Sequence, residues 1–166
     1  MNGTDDLSRR AWGPVCLFFK TLEPGDPERR AAGFFLWLQE RGLPARIDLA
    51  LGSLRQFLKG LLGLYAESAL ALPHAAVLGA AEAFDDAWWR GVRERAVERT
   101  RALYLSERRI VPFLVYQRSG DPATVAAQMG LAEEDVRAYL EEARTRVRAE
   151  ARVELDADGE IGEKTV

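Results

Sequence analysis

The chain has 166 residues, room for one ordinary domain or two small helical ones. Its 48% hydrophobic and 30% charged residues place it in the globular range. A net charge of −3 excludes the global positive field of a non-specific nucleic-acid binder, so any DNA contact has to be local. A single cysteine, Cys16, excludes an intrachain disulfide, and with the single histidine, His74, it cannot furnish a tetrahedral zinc site.

The N-terminal stretch MNGTDDLSRRAWGPVCLFFKT lacks the apolar core and small-residue cleavage site of a signal peptide. No apolar run reaches the ~18 residues of a membrane span, so the expected location is cytoplasmic and no membrane partner is expected. The first helix is predicted to enter near Pro14, carry Val15, Phe18 and Phe19 on its buried face and stop at Pro24-Gly25. A second helix follows, with Asp26 as cap, Pro27 at its first position and Gly42 as left-handed terminus. Ala31, Phe34, Phe35 and Leu38 form its apolar stripe, which leaves Leu36 and Trp37 off that face as candidates to meet a partner.

A third helix opens with a capping box, Ser53 to Gln56, and repeats apolar residues at 54, 57, 58, 61, 62 and 65 before Pro73. The small-residue stretch after Pro73 fits either a linker or a short helix. It marks the expected boundary between a first domain (7–73), a linker (74–83) and a second domain (84–154). The second domain is expected to begin with an aspartate-capped long helix whose face is Trp88, Val92, Ala96 and Leu103. The segment IVPFLVYQR reads as a shorter helix, with a strand left open by its β-branched residues. Asp121-Pro122 caps the next helix, Gly130 turns the chain, and Val136, Leu140, Ala143 and Val147 stripe the last one. The tail, 155–166, is expected to be disordered. The predicted fold class is therefore all-α, with two small helical domains.

Catalytic patterns are missing: there is no G-x-S-x-G, no Walker loop and no H-E-x-x-H, and the glycine rhythm of KGLLG lies inside an amphipathic helix. The acid pairs Asp85-Asp86, Glu133-Glu134 and Glu141-Glu142 read as solvated charge, because neighbours on a helix point in different directions. DADGE from Asp156 lacks the ligands of a calcium loop. No enzyme activity, metal or cofactor is expected.

One specific pattern remains, the helix, glycine turn and amphipathic helix of PATVAAQMGLAEEDVRAYLEEARTR, Pro122 to Arg146. It fits a helix-turn-helix reader or an ordinary helical hairpin. The longer stretch DPATVAAQMGLAEEDVRAYLEEARTRVRAE resembles region 4 of the extracytoplasmic-function (ECF) sigma factors of the sigma-70 family, in which a short helix precedes a turn and a long recognition helix. Upstream, FDDAWWRGVRERAVERTRALY looks like the helix that opens that region. FFLWLQERGLPARIDLALGSLRQFLKGLL is similar to the family's region 2 core. The resemblance spans roughly residues 10 to 153 and marks a divergent member.

It implies a non-enzymatic subunit that binds core RNA polymerase and lets it recognise promoter DNA. Region 2 would grip the polymerase and open the −10 element, and region 4 would read the −35 element. Residues implied for DNA contact are Thr124, Glu134, Arg137, Ala138, Glu141 and Arg144; those implied for polymerase contact are Leu36, Trp37 and Glu40. The chain departs from the pattern in carrying Ala32 and Gly33 where relatives have Gln and Asp, and Glu141-Glu142 where they often have His or Arg. From Asp121 to Glu154 eight acids face five arginines, whereas Trp88 to Arg109 holds seven arginines and three glutamates. DNA contacts are therefore expected to be weakened or local. The alternative implied is a sigma-shaped adaptor or decoy that binds polymerase, an anti-sigma partner or another regulatory protein without reading DNA.

Overall fold

A computed structural model describes residues 3–22, 25–48 and 52–160, with side chains from Leu7 onward. Among these residues every regular element is helical, and none is long and apolar enough to cross a membrane. The chain divides into two compact units. Unit 1 runs through Gly91 and takes back the residues from Leu155 onward; unit 2 is Val92–Glu154.

Unit 1 begins with α1 (Gly3–Leu22), which has Pro14 in its interior rather than at its start. Leu7, Ala11, Val15, Phe18 and Phe19 are all buried and recur at helical spacing. An interior proline costs a helix about 3 kcal/mol; the burial of Leu7 and Ala11 upstream of it offsets that cost. Helix α2 (Pro27–Glu40) forms as its sequence dictates. Asp26 Oδ1 accepts the Arg29 N–H at 3.0 Å, Pro27 sits in the first turn, and Gly42 at φ +62° takes the left-handed position after the last turn. Its buried residues are Ala31, Phe34, Phe35 and Leu38. After a 3₁₀ turn at Pro44–Arg46, Ser53 Oγ accepts the Gln56 N–H at 3.2 Å and starts α3 (Leu54–Ser68), which buries Leu54, Leu58, Leu62, Tyr65 and Ala66.

The core of unit 1 is aromatic. Phe34 lies between Phe19 (6.5 Å between ring centres), Phe35 (5.5 Å) and Tyr65 (5.6 Å), all edge-on, the arrangement that the ring quadrupole favours. Gly33 belongs to the same packing, because a Cβ there would come within 3.0 Å of the Tyr65 hydroxyl.

Helix α4 (His74–Ser106) changes the expected organisation. Residues 74–83, expected as a linker, are its first turns. Val77, Ala80 and Phe84 are buried there at spacings of three and four, so a stretch of small residues gains its helix by tertiary burial. Asp85 and Asp86, the aspartates from which a cap of a new helix was expected, both lie inside α4, and Asp85 pairs with Arg55 and Lys59 of α3. The buried face of α4 continues through Trp88, Val92 and Ala96 to Thr100 and Tyr104; Leu103, expected on it, is 40% exposed. A spacing of four throughout, rather than a jump from 96 to 103, follows the helical period.

In unit 2 the left-handed Arg108 (φ +56°) ends α4, with the Arg109 N–H donating to Tyr104 O at 2.9 Å. The next segment is α5 (Val111–Gln117), not a strand. Pro112 in its first turn presets the helix, and Pro112, Phe113 and Val115 are buried. It is followed by α6 (Pro122–Met129) and α7 (Glu133–Ala157). Val136, Ala143 and Val147 of α7 are buried and Leu140 is half-buried. The tail expected to be disordered is ordered at its start: α7 runs to Ala157, and Asp158–Gly159 form a turn. Residues 161–166 of that expectation lie outside the described residues.

Candidate nucleic-acid interface

Helices α6 and α7 are set by local chemistry. Asp121 accepts the Thr124 N–H at 3.0 Å and the Thr124 hydroxyl at 2.6 Å, which holds its carboxyl below the usual carboxylate range, the hydroxyl bond foremost. Gly130 at φ +65° reverses the chain, and the Leu131 N–H donates to Ala126 O at 3.0 Å. Val115, Val125, Ala126 and Val136 then pack as one cluster beneath the turn.

This fixes two faces of α7. Glu134, Arg137, Ala138, Glu141 and Arg144 are all exposed at spacings of three and four, and Arg148 and Arg152 continue the row. Thr124 is exposed as well, but its hydroxyl is engaged in the cap. Arg137 pairs with Glu133 one turn back, and Arg148 reaches Glu141 at 3.6 Å. Arg144 and Arg152 have no ion-pair partner among the described residues. The outward row is thus mostly guanidinium, with Glu141 interrupting it.

The other face carries three paired acids, Glu142, Glu150 and Glu154. Glu142 accepts from the Tyr104 hydroxyl and from Arg109, each at 3.3 Å, and lies 3.5 Å from Arg146. Glu150 binds Arg99 at 3.0 Å; the buried Glu154 binds Arg95 at 2.8 Å and Arg99 at 2.7 Å. Arg146 takes Glu107 at 2.8 Å and lies over the Tyr104 ring at 4.5 Å. Burial, then the neighbouring Glu142, pushes the Tyr104 hydroxyl pKa up; the bond from Glu154 raises Arg99, and that from Glu107 raises Arg146. Arg95 and Arg99 of α4 with Glu150 and Glu154 of α7 are therefore two sides of one ionic seam, which Arg109 and Glu142 extend. Arg93, Arg108 and Arg118 stay outside it, exposed and without an ion-pair partner among the described residues.

The residues implied for polymerase contact separate. Leu36 is 58% exposed and Glu40 is exposed at the end of α2. Trp37 is half-buried: it stacks on Phe34 at 6.2 Å, meets Tyr65 edge-on at 5.4 Å and is covered by the Arg41 guanidinium at 4.6 Å. Leu36 instead shares a groove of about 420 Å³ between α1 and α2 with Arg9, Trp12, Ala32, Phe35 and Gln39. Trp12, 38% exposed and stacked on Phe35 at 5.9 Å, is the residue that sequence reasoning missed. Starting α1 at Pro14 hid it; extending the 7, 11, 15, 18 spacing backwards places it at the edge of the buried stripe.

No group of acidic, histidine or cysteine side chains that could hold a metal ion occurs among the described residues. Comparison with protein-family models, with curated proteins and with solved structures found no match.

Proposed function

We propose that the protein is a sigma-like subunit of the ECF type, which docks on core RNA polymerase and directs it to promoter DNA. The observation that carries this reading is the outward row on α7. Arg137, Arg144, Arg148 and Arg152 share a face with the short side chain of Ala138, next to a turn preset by Asp121 and Gly130. Such a face can approach phosphates with its arginines and a groove with its small residue. The groove between α1 and α2, with Trp12 and Leu36 in its lining, supplies an apolar anchor of the kind that dominates protein interfaces. Run-off transcription with purified core polymerase on genomic DNA tests the reading, and transcripts that depend on the protein are the expected result. Polymerase binding without transcripts defeats it.

One observation favours the adaptor reading, in which the protein binds polymerase or a regulatory partner without reading DNA. Arg55 and Lys59, the cations of α3, are both engaged by acids of the same unit, which leaves that helix with no free base for a DNA strand. The same assay separates the two readings, because an adaptor binds core polymerase and suppresses or leaves unchanged its transcription.

A further inference from the structure

The turn that follows α7 returns to unit 1 and binds there in an ordered way. The Leu54 N–H, at the start of α3, donates to Asp158 O at 2.8 Å. The Asp158 carboxylate is wholly buried and pairs with Arg10 of α1 at 2.7 Å. Two residues on, Glu160 meets Arg55 through both oxygens, Nε to Oε1 at 2.8 Å and Nη2 to Oε2 at 3.4 Å.

Arg55 is held from two other directions. Its Nη1 donates to Asp85 Oδ1 at 2.6 Å, and its guanidinium plane lies 5.0 Å from the centre of the Trp89 ring. Asp85 is in turn fixed by Lys59. With one edge pinned and one face stacked, the remaining Nε/Nη2 edge points in a set direction as a two-pronged donor. That is the geometry in which arginine takes carboxylates and phosphates bidentately. Because the side chain is only 14% exposed and Asp85 and Trp89 also hold it, little ordering is left for an incoming oxyanion to impose.

We propose that the Nε/Nη2 edge of Arg55 is a binding site for a phosphate group, and that Glu160 is its internal occupant. The segment after α7 then acts as a tethered competitor: a phosphate-bearing ligand must displace the carboxylate to enter. Arg55 and Lys59 face Asp85 and Glu160, so these four groups balance in charge when the site is occupied. Displacing the Glu160 carboxylate leaves two cations against one acid, a local charge of about +1 that favours a phosphate. The site goes beyond the polymerase reading and does not rest on it.

The test uses the full chain with Glu160→Gln, which keeps the side chain's length and removes its charge. Binding of inorganic pyrophosphate is measured by calorimetry, and binding of a fluorescein-labelled single-stranded dT12 by anisotropy, both at low salt. The expected result is at least tenfold tighter binding of one probe than by the wild type, lost again in the double variant Glu160→Gln with Arg55→Gln. Pyrophosphate binding identifies a free phosphate as the ligand, and binding of the oligonucleotide alone identifies a phosphodiester. A gain in neither, or a gain that survives Arg55→Gln, overturns the proposal. Should Glu160→Gln not fold, Glu160→Asp keeps the charge on a shorter arm and is expected to give a smaller gain with the same Arg55 dependence; no gain overturns it equally.

Discussion

The two units are held together by different physics. Unit 1 closes on rings: Phe18, Phe19, Phe34 and Phe35 with Tyr65 pack together, and its ion pairs gather at Arg55 and at the buried Asp158. Unit 2 has Tyr104 and Phe113 as its large buried rings, and along α4 and α7 it matches arginines with glutamates instead. Ring packing is short-ranged and unaffected by salt, whereas a half-exposed ionic seam weakens with ionic strength. Substitutions in the two units should therefore differ in size and in salt dependence.

The largest effect is expected from Phe34→Ala. Phe34 is fully buried and touches four other rings, so its loss should cost about 3–5 kcal/mol in stability, independent of salt. A loss below ~1 kcal/mol would mean that the ring cluster is loosely packed. Glu154→Ala in unit 2 comes next, because Glu154 is buried and receives two arginines. Removing one partner of a buried pair is costly, but Arg99 is half exposed and regains water, which reduces the expectation to about 1–2 kcal/mol. Melting at low and high salt should show the gap between wild type and variant narrowing as salt rises. A gap that stays constant would place the contribution of Glu154 in packing rather than charge.

Acid separates the units in another way. Burial raises the pKa of Asp85, but the bonds from Lys59 and Arg55 outweigh that and leave it below the ordinary carboxylate value. A carboxyl whose folded pKa is depressed contributes its stability above the unfolded pKa and loses it as pH falls through the folded one. The stability of unit 1 should thus decline as pH drops through and below the ordinary carboxylate range, and Asp85→Asn should flatten that decline. An acid profile identical in Asp85→Asn and wild type would show that Lys59 and Arg55 do not stabilise the charged form.

The contrast also explains what could be read in advance. Helix α2 was legible to its cap and all four buried residues, because apolar spacing, Asp26-Pro27 and Gly42 are local signals. The α6–α7 turn was legible for the same reason. The first turns of α4 were not, since HAAVLGAAEA carries no strong amphipathic signal and becomes helical through the packing of Val77, Ala80 and Phe84. Nor was the seam: adjacent glutamates look alike in sequence, and only the partner helix decides that Glu142 turns inward and Glu141 outward. Of the seven arginines between Trp88 and Arg109, those at 95, 99 and 109 are engaged by that seam. The outward row of candidate residues was named from the resemblance, and the helical period sets its members on one face; the groove at Trp12 was lost with the misplaced start of one helix.

The smallest effect sharpens the comparison most, because it sets two neighbours on one helix against each other. Glu142 lies against Tyr104, Arg109 and Arg146, so Glu142→Arg would bring a third cation to that point and leave the Tyr104 hydroxyl without its acceptor. A loss of about 1–2 kcal/mol is expected. Glu141, exposed and 3.6 Å from Arg148, contributes a surface pair of at most a few tenths, so Glu141→Arg should change stability by less than ~0.5 kcal/mol. The same change completes the guanidinium row from Arg137 to Arg152. Affinity for duplex DNA at low salt should therefore rise, and each added phosphate contact should steepen the salt slope by about 0.9. Thermal melts of both variants, followed by anisotropy at two salt concentrations, measure the pair. Equal losses of stability would mean that both glutamates face the seam. An affinity unchanged in Glu141→Arg would remove the outward face of α7 as a DNA surface, and with it the observation that carries the promoter reading.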